Sequence, residues 1–67
     1  MGFEKVVLDK VAKVLKEERK ACFFNGSLFV ECTAKDAARV ETALIELTQG
    51  GVIVSSFKQE FVYDFVA

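Results

Sequence analysis

An Asn-Gly pair at positions 25–26 lies between two apolar runs, and it constrains the fold more than any other feature of the chain. Both central residues of a type I′ β-turn need positive φ, which these two residue types tolerate best. The pair therefore predicts a tight hairpin in which Phe24 lies opposite Ser27. Because side chains alternate along a strand, this register assigns every hairpin residue to one of two sheet faces. One face carries Ala21, Phe23, Leu28, Val30 and Cys32, and the other carries Cys22, Phe24, Phe29 and Glu31.

The two cysteines, Cys22 and Cys32, fall on opposite faces of this hairpin. A disulfide cannot span a sheet, because its geometry needs Cβ atoms that point toward each other. The pair also lacks the C-x-x-C spacing of redox and zinc motifs. We therefore expect two free, mostly buried thiols.

Apolar residues at spacings of three and four predict one amphipathic helix over 3–20 and a second that runs from Thr33 to about Gln49. Thr33 followed by Asp36 is typical of a helix start, and Gly50–Gly51 is typical of a helix end. The predicted apolar stripes are Val7, Leu8, Val11, Val14 and Leu15 in the first helix, and Ala37, Val40, Ala43, Leu44 and Leu47 in the second.

The segments 52–57 and 60–66 predict a second hairpin, with Lys58–Gln59 as its turn. That turn lacks glycine, so its type stays open. If Ser56 lies opposite Phe61, alternation places apolar side chains on both faces of this hairpin as well. One face then carries Val52, Val54, Phe61, Tyr63 and Phe65.

Together these elements predict a single α+β domain over residues 1–67, with the order α-β-β-α-β-β. The hairpins join into a four-stranded antiparallel sheet, and the sequence does not determine the order of its strands. The two helices pack on one face of this sheet. A chain of 67 residues buries only about 60% of the surface that its unfolded form exposes, so the core is small.

Two helices cover only one face of such a sheet, and the hydrophobic content of 52% exceeds what that face needs. Five apolar residues of the other face are interface candidates: Phe24, Phe29, Ile53, Phe57 and Val62. Large exposed apolar patches mark interaction surfaces, and small domains gain stability by oligomerising. We therefore predict a small non-enzymatic interaction or structural module that forms a homo-oligomer through this face or through strand edges. In the alternative, the sheet twists enough for helices and termini to cover both faces.

The chain has no histidine, which removes the commonest metal ligand and most acid–base mechanisms near neutral pH. Paired carboxylates are the acid–base chemistry that remains, and Glu31 and Asp64 occupy equivalent places in the two hairpins. Charges that keep strand ends solvated explain both residues more simply. We expect no enzyme, no cofactor and no metal.

Five basic residues cluster near the first predicted helix: Lys10, Lys13, Lys16, Arg19 and Lys20. A basic stripe can follow a phosphate backbone, so the alternative function is a nucleic-acid-binding accessory protein that uses this helix face. Phe24 and Phe29 are the candidates if bases stack on the sheet. The formal net charge of -1 favours instead an ordinary solvated helix face.

No run approaches the roughly 18 apolar residues that a membrane-spanning helix needs. Charges occur throughout residues 1–20, where a signal peptide would be apolar. We expect a cytoplasmic protein with no membrane partner.

Three segments of the second half resemble small uncharacterised proteins encoded by tailed phages of cyanobacteria. They are DAARVETAL from Asp36 to Leu44, GVIVSS from Gly51 to Ser56, and YDF from Tyr63 to Phe65. The resemblance implies a short accessory phage protein in the host cytoplasm, and it transfers no site residue.

Overall fold

The computed structural model describes residues 2–66 and has the predicted α+β architecture of two helices and a four-stranded antiparallel sheet. In chain order its elements are α1 (Phe3–Leu15), a 3-10 helix (Glu18–Lys20), β1 (Ala21–Phe24), β2 (Ser27–Glu31), α2 (Ala34–Thr48), β3 (Val52–Phe57) and β4 (Glu60–Phe65). The order α-β-β-α-β-β is therefore confirmed.

The strands lie in the order β1-β2-β4-β3, so β2 and β4 are central and β1 and β3 are edges. Both hairpins have their predicted registers, with Phe24 opposite Ser27 in the first. The pairing of β2 with β4, which places Leu28 opposite Tyr63, joins the hairpins into one sheet.

The two hairpin turns differ in the residues that adopt positive φ. Asn25 (φ 53°) and Gly26 (φ 82°) are both positive, as the predicted type I′ turn requires. In the second turn only Lys58 is positive (φ 58°), which is the pattern of a type II′ turn. Glycine is preferred at that position, so Lys58 holds a conformation that its side chain disfavours.

The core lies between the helices and one face of the sheet, here called the inner face. Leu28 and Tyr63 of the central strands are completely buried on this face. The Tyr63 hydroxyl donates a hydrogen bond of 3.2 Å to the carbonyl oxygen of Ala37 in α2. The buried core residues are Val7, Val11, Leu28, Val30, Ala37, Val40, Leu44, Phe61 and Tyr63. They lie on the predicted inner face and helix stripes, which confirms both.

The first helix ends at Leu15, so the prediction that it runs to residue 20 is wrong. Lys16 caps the helix in the left-handed conformation (φ 60°), and the 3-10 helix leads into β1. An α-helix of 13 residues is about 20 Å long, which matches a strand of six residues. A helix over 3–20 would be about 27 Å long, whereas the largest extent of the molecule is 26 Å. The helix therefore stops where it reaches the end of the sheet.

The second helix begins and ends as predicted. The Thr33 hydroxyl oxygen accepts a hydrogen bond of 3.2 Å from the backbone N–H of Asp36. At the other end Gln49 takes the left-handed cap conformation (φ 59°). Gly51 then passes so close to β4 that a Cβ atom there would lie 2.5 Å from the carbonyl oxygen of Val66. The two glycines after α2 thus serve both the helix end and the start of β3.

Candidate interaction surface on the outer face of the sheet

The sheet face that points away from both helices, here called the outer face, carries all five predicted interface residues. Phe57 is 71%, Phe24 65% and Ile53 54% exposed. Phe29 and Val62 in the centre of the face are half-buried by their neighbours. The outer face as a whole comprises Cys22, Phe24, Ser27, Phe29, Glu31, Ile53, Ser55, Phe57, Glu60, Val62 and Asp64. The helices cover the inner face only, as predicted.

The strand registers arrange the outer side chains in three rows that cross the sheet from β1 to β3. The Asp64 row is Phe24, Ser27, Asp64 and Ile53; the middle row is Cys22, Phe29, Val62 and Ser55; and the Glu31 row is Glu31, Glu60 and Phe57, with Lys20 beside Glu31. The middle row carries no charge. Both flanking rows have carboxylates near their centres. The Asp64 row ends in Phe24 and Ile53, and the Glu31 row ends in Lys20 and Phe57.

Aromatic contacts orient the exposed rings without covering them. The rings of Phe24 and Phe29 meet edge to face, with centroids 6.3 Å apart. The Lys58 ammonium lies 5.8 Å from the centroid of the Phe57 ring, within the range of a cation–π contact. Both rings at the corners of the outer face are therefore held in place while their free sides stay exposed.

The polar groups of the outer face carry an excess of negative charge. The Ser27 hydroxyl donates a hydrogen bond to the Asp64 carboxylate. The Lys20 ammonium lies 3.7 Å from the Glu31 carboxylate. Glu31 is also directly opposite Glu60, and like charges in that position destabilise a sheet. Three carboxylates thus stand against two ammonium groups, that of Lys20 and that of Lys58 at the edge of the face.

The surface area of the folded chain agrees with an uncovered face. The protein exposes 4786 Å². A compact folded monomer of 7.5 kDa is expected to expose about 4,250 Å². The difference of about 500 Å² is a property of the whole surface and does not measure the outer face alone.

Glu31 and Asp64 both point to the outer face, as their alternation predicts, but they do not form a carboxylate pair. Glu31 lies opposite Glu60, which is four positions along β4 from Asp64. Four positions along a strand span about 13 Å, so the two carboxylates cannot share a proton or a cation. Among residues 2–66, the structure brings together no group of three or more metal-ligating side chains.

The two cysteines are free thiols on opposite faces of the sheet, as predicted. Cys32 is half-buried, and burial, followed by the negative charge of Asp36, raises the pKa of its thiol. Cys22 is exposed on the outer face. The expectation that both thiols are mostly buried is therefore wrong for Cys22, because no helix covers its side of the sheet.

The five basic residues of the alternative function do not form one helical stripe. Lys10 and Lys13 lie on α1, Lys16 caps it, and Arg19 and Lys20 belong to the 3-10 helix. Lys10 lies 4.0 Å from the Glu46 carboxylate of α2, and Lys20 is engaged by Glu31. The early end of α1 separates these residues, and nucleic-acid binding stays a prediction.

Cys22 and Ser55 complete the middle row, although sequence reasoning did not assign them to the interface. The signal was present in the predicted registers, which place Cys22 opposite Phe29 and Ser55 opposite Val62. Small side chains flanking two central apolar ones leave Phe29 and Val62 accessible from outside the sheet.

Residues 2–66 contain no helix that is both long and apolar enough to cross a membrane. Comparison of the chain with protein-family models, with curated proteins and with solved structures gives no match. The geometry of the outer face therefore carries the functional argument.

Proposed function

We propose that this protein is a small non-enzymatic interaction module that self-associates through the outer face of its sheet. One observation carries the proposal: five apolar side chains lie on a sheet face that no helix covers, and three of them are more than half exposed. Burying such side chains against a partner removes apolar surface from water, which is the main favourable term in protein association.

The size of the exposed surface supports a weak and reversible complex. If each copy buries an apolar patch of the few hundred Å² that soluble monomers typically expose, two copies bury about 1,000 Å² or less together. Specific protein interfaces begin near this size, and small ones belong to transient complexes. We therefore expect association at micromolar concentrations rather than an obligate oligomer.

The charge of the outer face favours a protein partner over a polyanion. Its three carboxylates repel the phosphates of nucleic acids and of anionic lipids. A second copy carries the same carboxylates, which oppose association, but it also presents the same uncharged middle row. Identical surfaces meet in the two-fold dimers that are commonest among soluble oligomers. A second copy is therefore the occupant that we propose for this face.

A cytoplasmic location is part of the proposal, and the two free thiols are compatible with it. Free cysteines persist where thiols are kept reduced, and Cys22 is exposed as well as free. We place the module in the cytoplasm, and in the host cytoplasm if the resemblance to phage accessory proteins holds.

Two isoleucines provide a matched test of the proposal. Ile53 is 54% exposed on the outer face, and Ile45 is 41% exposed on α2. We expect Ile53→Asp to abolish self-association in sedimentation velocity, because it places a fourth carboxylate inside the interface. Ile45→Asp changes the net charge equally and should leave association intact. A strictly monomeric wild-type protein at these concentrations would exclude the proposal, and so would equal effects of the two variants.

The effect of salt concentration on binding distinguishes self-association from nucleic-acid binding. Because the carboxylates of two stacked outer faces repel each other, added salt should strengthen self-association. Binding of nucleic acid through the basic residues near α1 would weaken with salt, since it depends on the release of counterions. Sedimentation and nucleic-acid titration over one salt series therefore distinguish the two functions by the sign of the effect.

A further inference from the structure

We infer that two copies also pair along the edge strand β3, antiparallel and centred on Ser55, so that their two four-stranded sheets join into one continuous sheet. This inference rests on the proposed self-association and adds a second contact to it. It follows from the backbone groups that β3 leaves unpaired, from one hydrogen bond at its start and from its side chains.

The strand β3 lacks the features that normally protect an edge. Within residues 2–66 it pairs with β4 on one side only. It has six residues, and none of them is charged or proline. Edge strands in soluble proteins are usually short, charged or interrupted by proline or a bulge, because their free backbone groups otherwise pair with another strand. The other edge, β1, has only four residues, so β3 is the edge more prone to pairing.

The free side of β3 is open to a second strand. Ser55, Ser56 and Phe57 are all exposed, although alternation places them on both faces of the sheet. In the part of the chain that the structure describes, no helix therefore lies over this half of the edge. A second strand can approach it at the ordinary spacing of about 4.8 Å.

Hydrogen bonds of the second hairpin show which backbone groups of β3 point to its free side. The Val66 N–H donates a hydrogen bond of 2.8 Å to the carbonyl oxygen of Gly51. Backbone groups alternate in direction along an antiparallel strand. Those of the odd-numbered residues of β3 therefore bond to β4, and those of the even-numbered residues point to the free side.

These groups select the register of the pairing. The Val52 N–H is already used, because it donates a hydrogen bond of 3.0 Å to the carbonyl oxygen of Gly50. With two antiparallel β3 strands centred on Ser55, Val54 of each lies opposite Ser56 of the other, and the N–H and C=O groups of both residues pair. Centring on Val54 or on Ser56 would instead require the used N–H of Val52 or a partner in the turn.

The side chains of β3 complement each other in the same register. Ile53 of each copy lies opposite Phe57 of the other, and aromatic and β-branched side chains are favourable cross-strand neighbours. Both are more than half exposed in a single copy. The two small Ser55 side chains meet at the two-fold axis, which closes the pair. A second copy is therefore the occupant that we propose for this edge, and Ile53→Asp weakens both contacts.

The pairing keeps the carboxylates of the two copies apart. Those nearest to the joint belong to β4, where Glu60 lies opposite Phe57 and Asp64 lies opposite Ile53. Three strand spacings, or about 14 Å, separate Glu60 of one copy from Asp64 of the other. Salt at about 0.1 M largely screens charges more than about 10 Å apart. The uncharged middle row continues from one copy into the next, because Ser55 is its last member.

A direct disulfide tests the pairing in a protein that lacks the natural thiols, Cys22→Ser with Cys32→Ser. Adding Ser55→Cys places two thiols opposite each other, with Cα atoms about 4.5 Å apart, which is within disulfide range. Stacked outer faces lie about 10 Å apart and cannot form this bond. The matched control adds Ser56→Cys instead, because the two Ser56 residues are offset by two positions and lie more than about 8 Å apart.

We expect mild oxidation to give a covalent dimer of the Ser55→Cys protein on a denaturing gel and none of the Ser56→Cys protein. A covalent dimer from Ser56→Cys alone would overturn the register. Circular dichroism verifies that both single-thiol proteins fold, and both positions are exposed.

Amide hydrogen exchange tests the same pairing in the wild-type protein. The N–H groups of Val54 and Ser56 should exchange more slowly as the protein concentration rises, because pairing protects them. The Phe23 N–H, which by the same alternation points to the free side of β1, is the control and should exchange equally fast at all concentrations. Association through the outer face alone would leave all three unprotected.

The outcomes separate this inference from the proposed function. A wild-type sample that sediments as a dimer with neither the disulfide nor the protection would overturn the edge pairing and leave the outer-face association standing. Protection without the disulfide would mean that another strand, such as β1, occupies the edge, and would overturn it as well. A covalent Ser55→Cys dimer that does not associate further at any concentration would count against the outer-face association alone.

Discussion

The two faces of the sheet are built from the same four strands and similar apolar residues, yet they have opposite environments. Leu28 and Tyr63 on the inner face are completely buried, whereas Phe24 and Phe57 on the outer face are 65% and 71% exposed. Each hairpin supplies apolar residues to both faces, because its strands are apolar at odd and even positions alike. Burial in this protein therefore depends on which face of the sheet the helices cover. The strands carry more apolar side chains than a single chain can bury.

The largest expected contrast comes from truncating one residue on each face. Leu28→Ala removes a completely buried side chain from a central strand and should lower the free energy of unfolding by about 2–5 kcal/mol. Phe24→Ala removes a larger side chain that is 65% exposed and meets the ring of Phe29 edge to face, so its cost should stay below about 1 kcal/mol. Urea denaturation of dilute protein measures both. Equal costs would show that the outer face is buried in the monomer.

Tyr63 makes the stability of the inner face depend on pH in the alkaline range. Burial, with smaller contributions from the charges of Cys32 and Glu41, raises the pKa of Tyr63 well above its ordinary value of 10.0. The stability due to the neutral phenol is therefore complete below pH 10 and falls as the pH rises further, because the unfolded chain ionises first. Above pH 10, ionisation of Tyr63 in the unfolded chain should lower the free energy of unfolding by an amount that approaches about 1.4 kcal/mol per pH unit.

Comparison with Tyr63→Phe isolates the part of the pH dependence of stability that is due to Tyr63. Because the variant lacks the hydrogen bond to Ala37, its free energy of unfolding below pH 10 should be lower by about 0.5–1.5 kcal/mol. Above pH 10 its free energy of unfolding should decrease less steeply with pH than that of the wild-type protein. Tyr63 is the only tyrosine of the chain, so phenolate absorbance reports its ionisation directly. Ionisation of folded Tyr63 at the pH of free tyrosine would contradict its burial.

The smallest expected effect separates stability from association. Lys58→Gly relieves a positive φ of 58° in the β3–β4 turn and should raise the free energy of unfolding by about 0.5–1 kcal/mol. The side chain lies at the edge of the outer face, so self-association should change little. Thermal denaturation and sedimentation of the same variant provide the comparison. A stabilised variant that also ceased to associate would show that Lys58 belongs to the interface.

Much of the fold could be predicted because the decisive signals are local. Asn25–Gly26 sets the first register, and alternation from that turn assigns each strand residue to a face. Thr33 and the glycines after α2 mark the limits of a helix through contacts within a few residues. The candidate interface residues follow from the same alternation, and all five lie on one face.

The errors concern contacts between segments distant in the chain. The end of α1 at Leu15 depends on the length of a sheet that forms from later residues. The separation of Glu31 from Asp64 depends on how β2 pairs with β4, which no turn specifies. The exposure of Cys22 follows from its place on the uncovered face, and the expectation of burial gave the general tendency of free thiols to be buried more weight than that placement.

The sequence by itself determined the elements, both hairpin registers and the two sets of residues that share a face, since turn chemistry and side-chain alternation act over a few residues. Only the tertiary structure decided the strand order β1-β2-β4-β3 and, with it, the three rows of the outer face. Those features depend on packing between segments tens of residues apart, where burial of apolar area, unlike turn geometry, does not specify a partner in advance.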